Sequence, residues 1–380
     1  MSDQDPPPEA DRVDGAPHPR DTKVLLGQSA AEKSFLQAVQ SGRLHHGWLI
    51  AGPRGVGKAT LAWRIARYLL AENAAAGDGL FGDSSPAPAT DTLTRPDNDP
   101  LARRVAALAE PRLTLVRRVW DPKSSRHKKD IGVDEIRRLK SFFNLSAADG
   151  GRRVVIVDTA DEMTTNAANA LLKLLEEPPD NAILLLISHQ PSRLLPTIRS
   201  RCRVLRCEPL SGAEMARALT AAGSETGDDA AALSELSGGS VGEAVRLSNL
   251  DGMAIYQDLV ALFATLPDLD RPKALKLAES VAGAANEPRY DLVLRLLDVF
   301  VVRTARTGVS GPPIVEAATG EAALMTRLCG TPDAGRKWAE LQQKNAARAR
   351  HARAVNLDPA ALILDMILRI NELAGQLATR

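Results

Sequence analysis

Aromatic residues are scarce, 3% of 380, too few to build the stacking platforms on which single-stranded nucleic acid is held. Cysteine is scarcer still. Cys202, Cys207 and Cys329 are the only three, which excludes a disulfide framework and a four-cysteine zinc site. No excess of charge exists either: 48 Lys and Arg against 47 Asp and Glu leave +1. The whole molecule is therefore no polyelectrolyte binder, and any contact with nucleic acid is confined to a local patch. No apolar run reaches the ~20 residues that a bilayer demands. The start, MSDQDPPPEADRVDGAPHPR, is acidic and proline-rich without an apolar stretch, unlike a signal peptide. These absences predict a soluble, cytoplasmic chain. The remainder is 44% hydrophobic and 25% charged, an ordinary globular composition in a length that predicts two or three domains.

Residues 1–20 have little apolar surface to set against the entropy of ordering and are expected as a disordered tail. ENAAAGDGLFGDSSPAPATDTLTRPDNDP, about 72–100, clusters Gly, Pro, Asp and Ser and reads as a surface insertion. Between them SAAEKSFLQAVQSG sets Phe35, Leu36 and Val39 at helical spacing, with Gly42 as a stop.

Next comes HHGWLIAGPRGVGKATLAWRIARYLL. WLIA is a short apolar strand, and Leu61, Ile65 and Leu69 share one face of a following helix. Between them Gly52, Pro53, Arg54, Gly55, Val56, Gly57, Lys58, Ala59 and Thr60 nearly complete the G-x-x-x-x-G-K-[ST] phosphate loop. In such a loop glycines let backbone N–H groups converge on phosphate oxygens, the helix N-terminus adds its dipole, and the lysine neutralises charge. The departure is Ala59, where a magnesium-binding hydroxyl belongs; a threonine arrives one residue late. The strand–loop–helix order favours a phosphate site over the alternative, a ligand-free glycine turn capping a helix.

A second buried strand, Val154 to Val157, ends in Asp158, the place where nucleotide hydrolases hold magnesium. Many follow it with a glutamate that activates water; Thr159 stands there and cannot act as a base near neutral pH. A third apolar run, NAILLLISH, completes the expectation of a mainly parallel α/β sheet. His45 and His46 are expected to hydrogen-bond locally, since no partner ligands sit at metal-binding spacing. Cys202 and Cys207 lie in a strand-like segment and are expected to pack in the interior, with redox work as the lesser alternative. RHKK, Arg126 to Lys129, reads as an exposed loop, with phosphate-backbone contact as the lesser alternative. NALLKLLEEPP reads as an amphipathic helix with Leu171, Leu172 and Leu175 inward and Glu176 and Glu177 at a solvated end.

NALLKLLEEPP, the SRC of LLPTIRSRCRVLRCEPL and the glycine loop together resemble the bacterial DNA polymerase III clamp-loader subunits of the AAA+ superfamily, densely from about Leu26 to Leu247. Motor subunits of that family carry a complete loop, an Asp-Glu pair, zinc-binding cysteines and a lid arginine. Here Ala59, Thr159, the lack of cysteine between Lys58 and Asp158, and Gly242 within GGSVGEAVRL depart from all four. The pattern is thus similar to the delta-prime, or stator, type, as is NLDPAALILDMILRI near the end.

The resemblance implies an AAA+ P-loop domain (21–209), a small helical lid (210–250) and an all-α collar (251–380) that holds five subunits in a ring. It implies gamma/tau motor subunits and a delta subunit as partners, with the sliding clamp and primer-template DNA reached through the complex, and no membrane. Arg201 of the SRC would be a finger presented to a neighbour's nucleotide; its alternative is a surface salt bridge. ATP held weakly or moderately by Gly52 to Thr60, with Asp158 and a weakened dependence on Mg2+, is the expected cofactor state. No zinc is expected, and no hydrolysis by the chain alone. Two rivals stand beside this reading. One is a self-sufficient P-loop ATPase in which Thr60 or water completes the magnesium shell; the weaker one is a small-molecule phosphotransferase.

Overall fold

A computed structural model describes residues 8–72, 92–94, 96, 99–145, 151–224, 229–283 and 286–378. The expected insertion at 72–100 lies largely outside the described residues. The chain forms two compact units: one contains the residues up to Ser224 with Gly239–Gly242, the other the residues of 225–238 and from Glu243 onward.

The strands of the first unit are β1 (Gly47–Ala51), β2 (Leu113–Arg117), β3 (Trp120–Asp121), β4 (Arg126–His127), β5 (Arg153–Asp158), β6 (Ala182–Ser188) and β7 (Arg203–Arg206). Five of them make one sheet in the order β2-β5-β6-β1-β7, and every pairing in it is parallel. Every residue of β1, β5 and β6 is buried. That burial on both faces is why the three read as unbroken apolar runs without alternation. β3 and β4 form a separate antiparallel hairpin.

The helices of this unit are α1 (Ser29–Gln40), α2 (Lys58–Glu72), α3 (Pro100–Ala106), α4 (Val133–Leu145), α5 (Thr165–Glu176), α6 (Pro196–Ser200) and α7 (Gly212–Ala221). On α2 the expected stripe Leu61, Ile65 and Leu69 is buried, and so are Ala62, Trp63, Ala66 and Leu70; a helix apolar nearly all round lies inside its domain. α5 is the NALLKLLEE segment. Thr164 caps it by accepting from the Ala167 N–H, Leu171 and Leu175 are buried, and Leu172 is half-buried.

The expected disordered tail, whose residues 1–7 lie outside the described residues, needs correction from Glu9 onward. Glu9 to Arg20 is packed: Glu9 meets Arg20 at 2.6 Å and Arg117 at 3.0 Å, and Asp11 pairs with Arg117 and with His18 at 3.2 Å. His18 is buried, edge-on to Trp63. Composition registers apolar burial only, whereas this segment is held by ion pairs to a strand about 100 residues away.

The second unit is all-helical: α8 (Ala230–Ser237), α9 (Val241–Asn249, its first two residues in the other unit), α10 (Gly252–Phe263), α11 (Arg271–Glu279), α12 (Glu287–Ser310), α13 (Glu321–Leu328), α14 (Pro332–Ala354) and α15 (Pro359–Ala378). Tyr256, Phe263, Phe300, Trp338 and Met325 are fully buried in it. α12 and α14 approach at a pair of glycines, where a Cβ on Gly308 would stand 3.1 Å from the Gly335 Cα. The boundary between the units runs through the expected 210–250 lid, leaving α7 in the α/β unit and α8 in the helical one. No helix of the described residues is long and apolar enough to cross a membrane.

Candidate functional site

The glycine loop emerges from the carboxyl end of β1, where ligands of open parallel sheets bind. β1 lies between β6 and β7, and the Ala51 carbonyl accepts from the Cys207 N–H at 2.8 Å. Gly52 (φ +155) passes so near that a Cβ would stand 2.2 Å from the Cys207 carbonyl oxygen. At Gly55 (φ +77) a Cβ would stand 2.3 Å from the Ser240 Oγ. No other residue fits at either point. Helix α2 then starts at Lys58, and the Leu61 N–H closes its first bond onto the Gly57 carbonyl.

Lys58 is 3% exposed. Its ammonium donates to the Gly52 carbonyl at 2.7 Å and to the Pro53 carbonyl, so it is folded back on its own loop. Burial pulls it down to about 8, with Arg54 adding to the fall; Cys207, Asp158 and Asp161 oppose it. Ala59 offers no hydroxyl. Thr60 stands one helical step, ~100°, further round and is buried, so it does not present its hydroxyl where residue 59 points.

Asp158 ends β5, two strands from β1. Burial pushes its carboxyl up to about 7, and Asp11 and Glu162 add to the rise. Near neutrality a cation would therefore compete with a proton there. Thr159 is buried, and its hydroxyl donates to Asp158 Oδ1 at 3.3 Å. The carboxylates that follow are engaged: Asp161 Oδ1 accepts from the His189 N–H at 2.9 Å, and Glu162 pairs with Arg118 at 2.8 Å. Nothing in this stretch is poised to take a proton from water. Among the described residues no three His, Cys, Asp or Glu side chains gather into a metal-holding group.

Ser188 belongs to the site although the sequence reading passed over it. It ends β6 opposite Ala51, is 0% exposed, and its Oγ has no hydrogen-bond partner among the described residues. Its signal was the one polar residue closing the run AILLLIS. Gly242 also gains a reason. Its N–H donates to the Gly55 carbonyl at 3.0 Å, and Ser240 Oγ donates to the Arg54 carbonyl at 2.7 Å. A Cβ on Gly242 would stand 3.1 Å from the Gly55 Cα and 3.6 Å from Val13 Cγ2. The room an arginine would need there is filled by the loop itself.

Arg201 caps α6 and is 39% exposed. It meets Glu176 of α5 at 3.0 Å and donates to the Thr197 carbonyl at 3.1 Å. Its backbone lies at the start of β1, since a Cβ on Gly47 would stand 3.1 Å from the Arg201 carbonyl oxygen. The phosphate loop leaves the other end of that five-residue strand, about 16 Å away at the usual rise. The structure thus gathers Gly52 to Thr60 with Asp158 and sets Arg201 apart from them.

The remaining candidates are bland. His45 bonds the Gly47 N–H at 3.1 Å and His46 the Leu175 carbonyl at 3.0 Å. Cys207 is buried and Cys202 half-buried, neither in a disulfide, and burial pushes both thiols up to about 12. Of RHKK, Arg126 and His127 form strand β4 of the hairpin, and Lys128 and Lys129 are exposed.

Residues 27–211 match the family described as "DNA polymerase III, delta subunit". The match spans just under half of the chain. Over 207 residues the chain is 41% identical to DNA polymerase III subunit delta' of Pseudomonas aeruginosa, covering 53% of this chain and 55% of the relative. It is 31% identical to the Escherichia coli subunit delta' over 239 residues, 63% of this chain and 65% of that one. DNA polymerase III subunit gamma/tau of Mycobacterium tuberculosis is 27% identical over 369 residues, 88% of this chain and 58% of the relative. The chain spans between about half and two thirds of the length of these relatives.

Proposed function

We propose that this chain is the delta-prime, stator, subunit of a DNA polymerase III clamp loader, acting in DNA replication beside gamma/tau and delta in a five-membered AAA+ ring. The collar would hold that ring, which loads the sliding clamp onto primer-template DNA at the expense of ATP. Its contribution is to brace the assembly and to present Arg201 to a neighbour's nucleotide. The observation that carries the reading is the place of Arg201: half-exposed, and at the opposite end of β1 from its own phosphate loop. A guanidinium there serves a site on another molecule.

The loop's residues fit the phosphates of ATP. The backbone of Gly52 to Thr60 forms the cradle, Lys58 supplies the cation, and the buried Ser188 hydroxyl is unspent. The fit to Mg2+ is poorer, with Asp158 alone in place of a hydroxyl–carboxylate pair. Bound ATP would supply negative charge that draws Lys58 off its two carbonyls. The similarity to gamma/tau favours a second reading, a motor-type ATPase. Against it, Thr159 is tied to Asp158, Thr60 is buried, and the approach of Gly242 to Gly55 leaves no space for a lid arginine.

Assembly tests the proposal. Mixed with gamma/tau and delta subunits, the chain is expected to elute with them as one complex in size-exclusion chromatography, and omitting it to abolish clamp loading. Loading that proceeds equally well without it would remove the stator role.

A further inference from the structure

The chain's own N-terminal segment runs beside the phosphate loop. Three contacts run along it in series. Leu25 Cδ1 stands 2.6 Å from where Gly57 would carry a Cβ. Val13 Cγ2 stands 3.6 Å from the same position on Gly242, itself against Gly55. Asp11, with a side chain 1% exposed, pairs with Arg117, the last residue of β2 and the strand partner of Asp158.

The segment has two parts, held differently. Residues 20–28 are tied by their backbone and by Gln28: Arg67 donates to the Arg20 carbonyl at 2.6 Å, Arg64 to the Lys23 carbonyl at 3.0 Å, and Gln28 to the Val56 carbonyl at 3.0 Å. Residues 9–14 are held through side-chain charge, Glu9 to Arg20 and Arg117 and Asp11 to Arg117 and His18. The first part is an anchor. The second is a clasp whose bonds are ionic and exchangeable.

A triphosphate brings several negative charges to the carboxyl ends of the strands, where the loop's donors receive them. Asp11 already stands there, paired with Arg117 beside Asp158, whose carboxyl it helps push up. Like charge and shared space set the segment and the nucleotide in competition. We propose that residues 9–14 are a cover, in cis, over the phosphate loop, which nucleotide must displace in order to bind. The cover would give this loop a weaker apparent affinity than its glycines and Lys58 allow, because the binding-competent state is only a fraction of the molecules.

The test is calorimetric titration of ATP with Mg2+ into three forms of the isolated chain: intact, lacking residues 1–16, and full-length with Glu9→Gln and Asp11→Asn. The dissociation constant is expected to fall at least threefold in the substituted chain and tenfold or more in the shortened one. If the shortened chain fails to fold, the substituted one decides alone. A change below threefold in the substituted chain, or no binding by any form at millimolar ATP, overturns the proposal. The measurement needs no partner subunit, so its failure leaves the assembly reading standing, and failure to assemble leaves the cover standing.

Discussion

Arg201→Ala is expected to leave this chain folded and assembled while lowering DNA-stimulated ATP hydrolysis by the complex. A guanidinium supplied in trans stabilises charge developing on the transferred phosphoryl group and raises rates by roughly 10³–10⁵ at the site it serves. Its planar fork and permanent charge suit that task better than a lysine. Hydrolysis by the complex is expected to fall only in part, since other interfaces of the proposed ring would carry fingers of their own, and clamp loading to fall further if the sites fire in order. The bond that must be given up is cheap. Arg201 and Glu176 are 39% and 42% exposed, and an exposed pair is worth about 1 kcal/mol or less, so the side chain can leave Glu176 for a phosphate. If Arg201 served that salt bridge alone, the variant would lose a little stability and nothing else. A mutant complex that assembles and loads clamps at the parent rate shows that Arg201 is no finger.

Glu321→Ala is expected to produce the largest loss of stability. Glu321 is 0% exposed. It accepts from the Tyr256 hydroxyl at 2.5 Å, from Arg303 at 2.7 and 3.1 Å and from the Ala317 N–H at 2.7 Å. Arg303, itself buried, continues to Glu235 at 2.7 Å and to the Val315 carbonyl at 2.9 Å. The network therefore joins α8, α10, α12, α13 and the stretch before α13. Removing the carboxylate strands a buried guanidinium and a buried phenol, which costs about 3–5 kcal/mol, a large share of a domain's ~5–15 kcal/mol. Urea unfolding followed by circular dichroism reads the loss. Replacing the pair together, Arg303→Met with Glu321→Leu, is expected to recover much of it, since the cost lies in the unpaired charge. A single variant within 1 kcal/mol of the parent would show that water reaches the network.

What could be read in the sequence was whatever physics writes locally. β1, β5 and β6 are buried on both faces and so appear as apolar runs; the glycine loop must be glycine because Cys207 and Ser240 crowd it; Leu171 and Leu175 keep helical spacing. β7, between Cys202 and Cys207, was legible as strand-like, although as an edge strand only its Leu205 is buried. The hairpin of β3 and β4, two residues a side, is too short to carry a pattern. The packing of Glu9 to Arg20 escaped because its partner, Arg117, is remote in the chain and charge pairing across such distances has no periodicity. Arg201 was found by resemblance alone. Its separation from its own loop, on which the proposed finger role rests, exists only once β1 is laid between them. Gly242 was noticed as a missing arginine, but why an arginine does not fit is a statement about Gly55 and Val13.

The central claim, a phosphate loop that has lost hydrolysis, is tested most directly by steady-state ATP turnover of the purified chain without partners. On the proposed reading Thr159 stands where a water-activating carboxylate would belong, and Gly242 where a lid arginine would. Positioning and charge stabilisation carry most phosphoryl-transfer catalysis, so losing both removes it. The expected result is no turnover above that of a Lys58→Ala control, at any Mg2+ concentration. Steady turnover by the parent chain that Lys58→Ala abolishes would contradict the account and establish the motor reading.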